Sequence, residues 1–247
     1  MDLSKLLTIL IPTHITPFAP STEIIENTIK SISMFENIDN CKCIIGCNMN
    51  RDKPLISEQY LHNLCCIKNV FDTEIYNVIN GQQRKNFLNI IKRVKTPYLF
   101  FVEHDWKFVE YLDISLLLST MDKYKFINTI YFNKRPNICL KYPPCGDFIL
   151  KPEPRVTEIP LLKTSKWSNN PNITRTSKWK EWMPIVEKAP LDTSNPRKQV
   201  EPPLHYLYIN QINTLGFDEA HALWGMYSYG TMNNNRMVEH MDGSKRY

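Results

Sequence analysis

Four short apolar runs in the first hundred residues constrain the fold more than any other feature. They are "LLTILIPT" (6–13), "CKCIIGCN" (41–48), "EIYNVI" (74–79) and "TPYLFFV" (96–102). The first is apolar almost without a break, as a strand buried on both faces must be. Helical spacing fills the intervals. Ile25, Ile29 and Ile32 follow Ser21 and Thr22, either of which can cap a helix. "SEQYLHNLCCI" (57–67) is the second helix, and Phe87, Ile90, Ile91 and Val94 mark one face of a third over 82–94. Strand and helix alternating over short links predict an α/β fold: a mostly parallel sheet with helices on both sides.

Beyond residue 106 the pattern loosens. Asp113 can cap a helix at "ISLLLSTMDKY", and "FINTIYF" (126–132) is strand-like. From Pro136 to Pro203 the chain is rich in Pro, Asn, Lys and Ser. That composition predicts irregular loops and short strands such as "GDFIL" and "WSNNPNITR" over one end of the sheet. A helix over 177–186 has Thr176 as its cap, and another runs from Pro203 to Leu215 and stops at Gly216. The tail "HALWGMYSYG…MVEHMDG" reads as two short strands around the turn "TMNNN". With no internal repeat in 247 residues, a single domain spanning 1–247 is expected.

Several function classes are excluded early. Seven glycines form neither G-x-G-x-x-G nor a Walker loop, which argues against a Rossmann dehydrogenase or a P-loop enzyme. A net charge of +5 suits an anionic ligand but is too small to imply nucleic acid. The seven cysteines contain no C-x-x-C pair. Cys41, Cys43 and Cys47 alternate along a strand, as small buried thiols in a reducing compartment do. "LLTILI" (6–11) is too short to span a membrane, so a cytoplasmic protein without a transmembrane segment, at most attached peripherally to a membrane, is expected.

The run "PYLFFVEHDW" (97–106) raises the chemical question, because its apolar stretch stops on Glu103, His104 and Asp105. Ligands of open α/β sheets bind beyond the carboxyl ends of the strands. In extended chain, residues i and i+2 face one side, so Glu103 and Asp105 converge while His104 points away. Two such carboxylates repel unless a cation joins them, and oxygen ligands suit Mg²⁺ or Mn²⁺ carrying a phosphorylated substrate. A solvated loop would also account for an isolated E-x-D. Arg84, in the first turn of its helix and on the face of Phe87, needs a partner. A ligand phosphate, Asp105 or a structural salt bridge would each serve.

The block "NGQQRKNFLNIIKRVKTPYLFFVEHDW" (80–106) resembles the centre of family 2-like glycosyltransferases of the GT-A fold. There a Gly precedes an Arg-Asn pair on a helix, then a strand, then Asp-x-Asp. The matching residues are Gly81, Arg84, Asn86 and Glu103-His104-Asp105. "LLTILIPTH" resembles that family's first strand, whose Pro-Thr begins the nucleotide site, and the likeness runs in order over residues 6–106. It implies a nucleotide-diphosphate sugar donor, a glycan or other hydroxyl acceptor, and Mn²⁺ or Mg²⁺. Residues 1–106 then form the nucleotide-sugar half and 107–247 an irregular acceptor region. Donor contacts are implied at Pro12, Thr13, His14, Asn48, Arg84, Glu103 and His104.

The resemblance places the metal on Asp105, Glu103 and His240, the last from its likeness to a C-terminal ligand segment at "VEHMDG". A strand carrying "MVEHM" can fold back across the sheet edge to bring His240 to Asp105. Glu103 stands where the family has Asp, so the metal rests more on Asp105. "GCNMNRD" offers Asn48, Asn50 or Asp52 in place of the acid that touches the nucleoside, which leaves the base unspecified. Glu201, in "VEPPLHYL", stands where the family opens a late helix with its catalytic base; Asp192 and Glu181 are reserves. Trp167, Trp179, Trp182 and Trp224 offer flat faces for an acceptor sugar or simply pack a core. His62, His205 and His221 are assigned to packing. The rival readings are a sugar-nucleotide nucleotidyltransferase, although "PTHITPFAP" lacks the Gly-rich basic loop such enzymes carry, and an inactive sugar-binding protein.

Overall fold

The computed structural model describes residues 1–15, 19–67, 71–79, 82–141, 147–189 and 200–241. Over the first hundred residues it follows the expected alternation. β1 (Leu7–His14), α1 (Glu23–Ile32), β2 (Lys42–Met49), α2 (Pro54–Cys66), β3 (Asp72–Ile79), α3 (Gln82–Ile91) and β4 (Tyr98–Phe101) come in that order. β1 lies between β2 and β4, and β2 pairs onward with β3, all in parallel. Leu10 thus opposes Ile44 on one side and Phe101 on the other. All of β1 except His14 is buried.

The second half adds β5 (Trp106–Phe108), α4 (Ile114–Lys123), β6 (Thr129–Tyr131), β7 (Leu150–Pro152), β8 (Leu161–Thr164) and β9 (Asn172–Arg175). After these come α5 (Thr176–Lys188), α6 (Glu201–Leu215), α7 (Phe217–Trp224), β10 (Met226–Tyr229) and β11 (Val238–His240). The nine-stranded sheet has the order β3-β2-β1-β4-β9-β6-β10-β8-β7. Following the pairings across it, only β8 and β9 run against the rest, so the sheet is mostly parallel and draws on both halves of the chain.

Each face of the sheet has its own core. Ile25, Ile29 and Ile32 of α1 pack with Tyr60 of α2 and Leu118 of α4 against Ile9, Ile11 and Phe100. On the other face Phe87 of α3, Trp179 of α5, Leu204 of α6 and Trp224 of α7 cover Leu10, Leu99 and Phe101. Cys41, Cys43 and Cys47 alternate into the first core, and burial pushes each thiol up to about 12. They are inert packing groups, as their spacing suggested.

Several element ends differ from expectation. Asp113 does cap α4, accepting from the Leu116 N–H at 2.8 Å. Thr22 does not cap α1; its hydroxyl donates to Glu26 at 2.5 Å instead. α5 starts at Thr176 itself, with Arg175 in the cap position and no side-chain cap. α6 starts at Glu201, two residues early, because prolines in a first turn cost no hydrogen bond. "HALW" is the end of α7, closed by Gly225 in the left-handed region (φ 60°). The two tail strands form no hairpin: β10 joins β6, whereas β11 pairs with β5.

That second pairing positions the site. Val238 opposes Phe108 and His240 opposes Trp106, and the Met241 N–H donates to the Asp105 carbonyl at 2.8 Å. The tail is laid across the end of β4.

Candidate active site

Parallel β1, β2 and β4 bring His14, Asn48 and residues 102–105 to one edge of the sheet. Immediately after Val102 the chain turns, with the Trp106 N–H donating to the Glu103 carbonyl at 3.2 Å. The expectation of two carboxylates side by side on an extended strand therefore fails, because β4 has already ended at Phe101. Glu103 accepts a hydrogen bond from the Gln83 amide of α3. Asp105 faces β11 instead, its Oδ2 lying 3.0 Å from His240 Nε2. The His240 ring also packs on Trp106 at 4.7 Å.

The two acids nonetheless share one electrostatic site. Burial, and then the charges of Asp105 and Glu201, push Glu103 up to about 8. Burial also acts to raise Asp105, but His240, His104 and His14 outweigh it and hold that carboxyl below its ordinary value. Asp105 Oδ1 is buried and has no hydrogen-bond donor. An uncompensated carboxylate oxygen in the interior is costly unless a ligand completes it.

Donors that suit a divalent cation are present here. Asp105 offers that unsatisfied oxygen, and its other oxygen stands 3.0 Å from an imidazole nitrogen. Neighbouring ligands of an octahedral ion with bonds of about 2.1 Å are separated by a similar distance, about 3.0 Å. The pair fits. Among the described residues, no group of three or more His, Cys, Asp and Glu side chains surrounds a single point.

Glu201 opens α6 and its Oε2 accepts the Asn169 N–H at 3.2 Å. Its charge adds to what raises Glu103, behind burial and Asp105. Of the reserves, Glu181 is exposed on α5 and ion-paired to Lys178 at 2.7 Å, and Asp192 lies outside the described residues.

The remaining candidates are placed as follows. The Pro12 carbonyl accepts the His104 N–H at 3.3 Å, and Thr13 Oγ1 lies 2.7 Å from the Tyr60 hydroxyl. His14 and His104 meet edge to face at 4.6 Å, and Asn48 is the register partner of His14. Arg84 does not reach Asp105: its Nη1 donates to the Ala189 carbonyl at 2.9 Å, and its buried Nε has no partner. Asn86 ties β1 to β2 through the Thr13 carbonyl at 3.1 Å and the Gly46 carbonyl at 2.8 Å. A Cβ at Gly46 would lie 2.5 Å from Asn86 Oδ1, so that tie requires the glycine. Gly81 is outside the described residues.

Of the alternatives left open for the tryptophans, core packing is the one the structure shows, and one histidine reading needs correction. Trp167, Trp179, Trp182 and Trp224 are all buried and touch one another, with ring centres 5.3–5.6 Å apart along the chain of contacts. They fill the second core, because four large apolar rings release most free energy when packed together. His62 is exposed rather than packed, while His205 and His221 are buried as assigned. Sequence reasoning missed Gln83. It sits one turn before Phe87 on the inward side of α3, where a buried amide needs a partner, and that position was the available signal.

No protein-family profile matches this chain, and neither does any curated protein. Among solved structures, S. aureus TarS 1–349 matches with a TM-score of 0.53 at 11% identity, over 96% of this chain and 60% of that one. TarS 1–349 in complex with UDP matches at 0.52 and 10%, over 94% and 59%. TarS is a glycosyltransferase. The fold is GT-A-like. The chain spans about three-fifths of the TarS chains it matches. A 4-diphosphocytidyl-2C-methyl-D-erythritol synthase from Anaerococcus prevotii reaches only 0.41 at 9% identity, over 96% of this chain and 92% of that one, and carries no weight for the nucleotidyltransferase reading. Among the described residues no helix is long and apolar enough to cross a membrane.

Proposed function

We propose that residues 1–247 form a single-domain, inverting glycosyltransferase that moves a sugar from a nucleotide-diphosphate sugar to a hydroxyl of a glycan or similar acceptor. On this reading 1–106 hold the donor and 107–247 the acceptor. One observation carries it. Asp105 and His240 stand 3.0 Å apart just beyond the carboxyl end of the central strands, with the raised Glu103 carboxyl two residues before Asp105, in a fold shared with a protein whose structure contains UDP. The buried free thiols Cys41, Cys43 and Cys47 suit a reducing, cytoplasmic setting.

Asp105 and His240 would hold Mn²⁺ or Mg²⁺, which when bound neutralises charge on the departing diphosphate. Gln83 fixes the Glu103 carboxyl, and the Asn169 N–H fixes Glu201 by one oxygen. The other Glu201 oxygen takes the proton of the acceptor hydroxyl. The acceptor oxygen bonds to the anomeric carbon as that carbon's bond to the diphosphate oxygen breaks, and the proton stays on Glu201. His14, Asn48 and the Pro12–Thr13 backbone border the donor at the strand ends. His104 braces that border through its contact with His14, and Arg84 supplies buried positive charge behind it.

The test uses the wild-type chain and Asp105→Asn. With Mn²⁺ and a panel of nucleotide sugars, the wild type is expected to release nucleoside diphosphate slowly without acceptor. Asp105→Asn is expected to melt at an unchanged temperature and to lose that release. Turnover by the variant at the wild-type rate would remove Asp105 from the chemistry. Failure of every nucleotide sugar to bind, with or without Mn²⁺, would end the transferase reading.

A further inference from the structure

Only the stretch 230–237 separates β10 from β11, yet the two strands lie in different sheets. β10 belongs to the nine-stranded sheet and β11 to the ribbon it forms with β5. That ribbon is poorly equipped to fix its own alignment. Each of its two strands is three residues long, and an isolated pair of strands is marginally stable at best. A slip of one residue would turn His240 to the opposite face and away from Asp105. Met237 and Val238 are successive and both buried, so apolar alternation does not choose between the registers.

The segment after β6 supplies the missing fix. The Asn133 carbonyl accepts the N–H groups of Met237, at 2.8 Å, and Val238, at 3.3 Å. Its side-chain amide donates to the Arg135 carbonyl and, at 3.3 Å each, to the Asn235 carbonyl and Asn234 Oδ1. Four residues on, Asn137 holds the start of the same loop. Its amide donates to the carbonyls of Tyr229 at 2.9 Å and Thr231 at 3.2 Å, and its backbone carbonyl accepts the Asn233 N–H at 2.9 Å. Its side-chain oxygen accepts from the Ser228 hydroxyl of β10 at 2.9 Å. Both asparagines are buried. From the other side, the Val109 N–H donates to the Met237 carbonyl at 3.0 Å. Met237 is thus gripped on two sides, three residues before His240.

We infer that Asn133 and Asn137 are positioning residues: they fix the loop 230–237, and with it the register that sets His240 on Asp105. The inference deepens the transferase reading and rests on it for the use made of that pair. The grip depends on amide chemistry. Asn133 Nδ2 faces three oxygens, so a carboxylate of the same shape would set oxygen against oxygen there.

Amide exchange followed by NMR tests the grip without metal or turnover. The Met241 N–H, donated to the Asp105 carbonyl, reports whether the tail is seated. In Asn133→Ala its exchange is expected to quicken by about tenfold more than that of amides in β1 and β2. Calorimetry with Mn²⁺ reads the consequence: affinity is expected to fall about tenfold, as when a residue that orients a metal ligand is removed. Asn133→Asp is expected to weaken Mn²⁺ binding too, although its added charge alone would tighten it. Thermal melts establish that each variant is folded, and if Asn133→Ala is not, Asn137→Ala carries both measurements with the same expected signs. Unchanged exchange at Met241 overturns the inference. So does Mn²⁺ affinity equal to that of the wild type, which would leave these amides a structural role alone, or tighter binding by Asn133→Asp. If exchange quickens but the wild type binds no Mn²⁺, the positioning of His240 stands and the metal reading falls.

Discussion

Glu153 and Glu103 are both acids inside this protein, and their surroundings push them in opposite directions. Glu153 follows β7 and is 4% exposed. The Arg155 guanidinium holds both its oxygens, at 2.7 and 2.6 Å, and the Tyr227 hydroxyl donates to one of them at 3.2 Å. Arg155 above all brings that carboxyl down to about 2. Glu103 has the Gln83 amide, but burial first, and then the charges of Asp105 and Glu201, raise it to about 8. Asp105 beside it leaves one buried oxygen without a donor. An acid that only supports a fold is built with its donors; one kept without them is costly, and that cost points to a ligand.

The largest expected effect lies on the crowded side of this contrast. Glu201→Gln should cut transfer by about 10²–10⁴-fold while leaving donor and Mn²⁺ affinity unchanged, because a base acts on the acceptor. Steady-state rates beside calorimetric donor affinities check both halves of that statement. An unaltered rate would pass the role to Asp192 or Glu181 and would leave Glu201 as an ordinary helix-start acid.

Glu153→Gln should do the reverse, costing stability and leaving transfer per folded molecule intact. The Arg155 side chain is 59% exposed, so its freed charge returns to water. The loss should be about 1–3 kcal/mol rather than the full cost of breaking a buried pair. The pH dependence has a definite sign. The folded-state value of about 2 lies below the ordinary 4.5, so the contribution is complete above about pH 4.5 and fades as the pH falls toward 2. Urea unfolding at pH 7, 4 and 3 should show the gap between wild type and variant closing in acid. A gap that stays constant would mean that Arg155 does not hold the carboxylate.

What the chain declares about itself depends on whether the signal is local. β1, β2, β3 and β4 were legible because strands covered on both faces must be apolar throughout, and the helices between them repeat every 3.6 residues. The buried cysteines followed from the same alternation. The return of His240 to Asp105 was readable as a strand coming back across the sheet edge, and the structure sets the two groups 3.0 Å apart. The facing of Glu103 was not legible, since apolar periodicity does not mark where an extended chain begins to turn. Nor was the fate of the tryptophans, because the same residues suit a core and a sugar platform. β10 beside β6 is a pairing between distant segments and leaves no local trace.

The smallest effect is the sharpest on the comparison, because its sign decides. Glu103→Gln keeps an oxygen that can accept from the Gln83 amide but deletes the charge opposed to Asp105 and Glu201. Without metal the variant should be more stable than the wild type by about 1 kcal/mol, a rise in melting temperature of about 2–4 °C for a chain of this size. Added Mn²⁺ should shrink that gain, because a bound cation would relieve the same repulsion in the wild type. Scanning calorimetry of both proteins, with and without Mn²⁺, reads each quantity directly. If Glu103→Gln instead destabilises as Glu153→Gln does, then Glu103 is a second structural acid, and the strand end is held together by the residues taken here to hold a substrate.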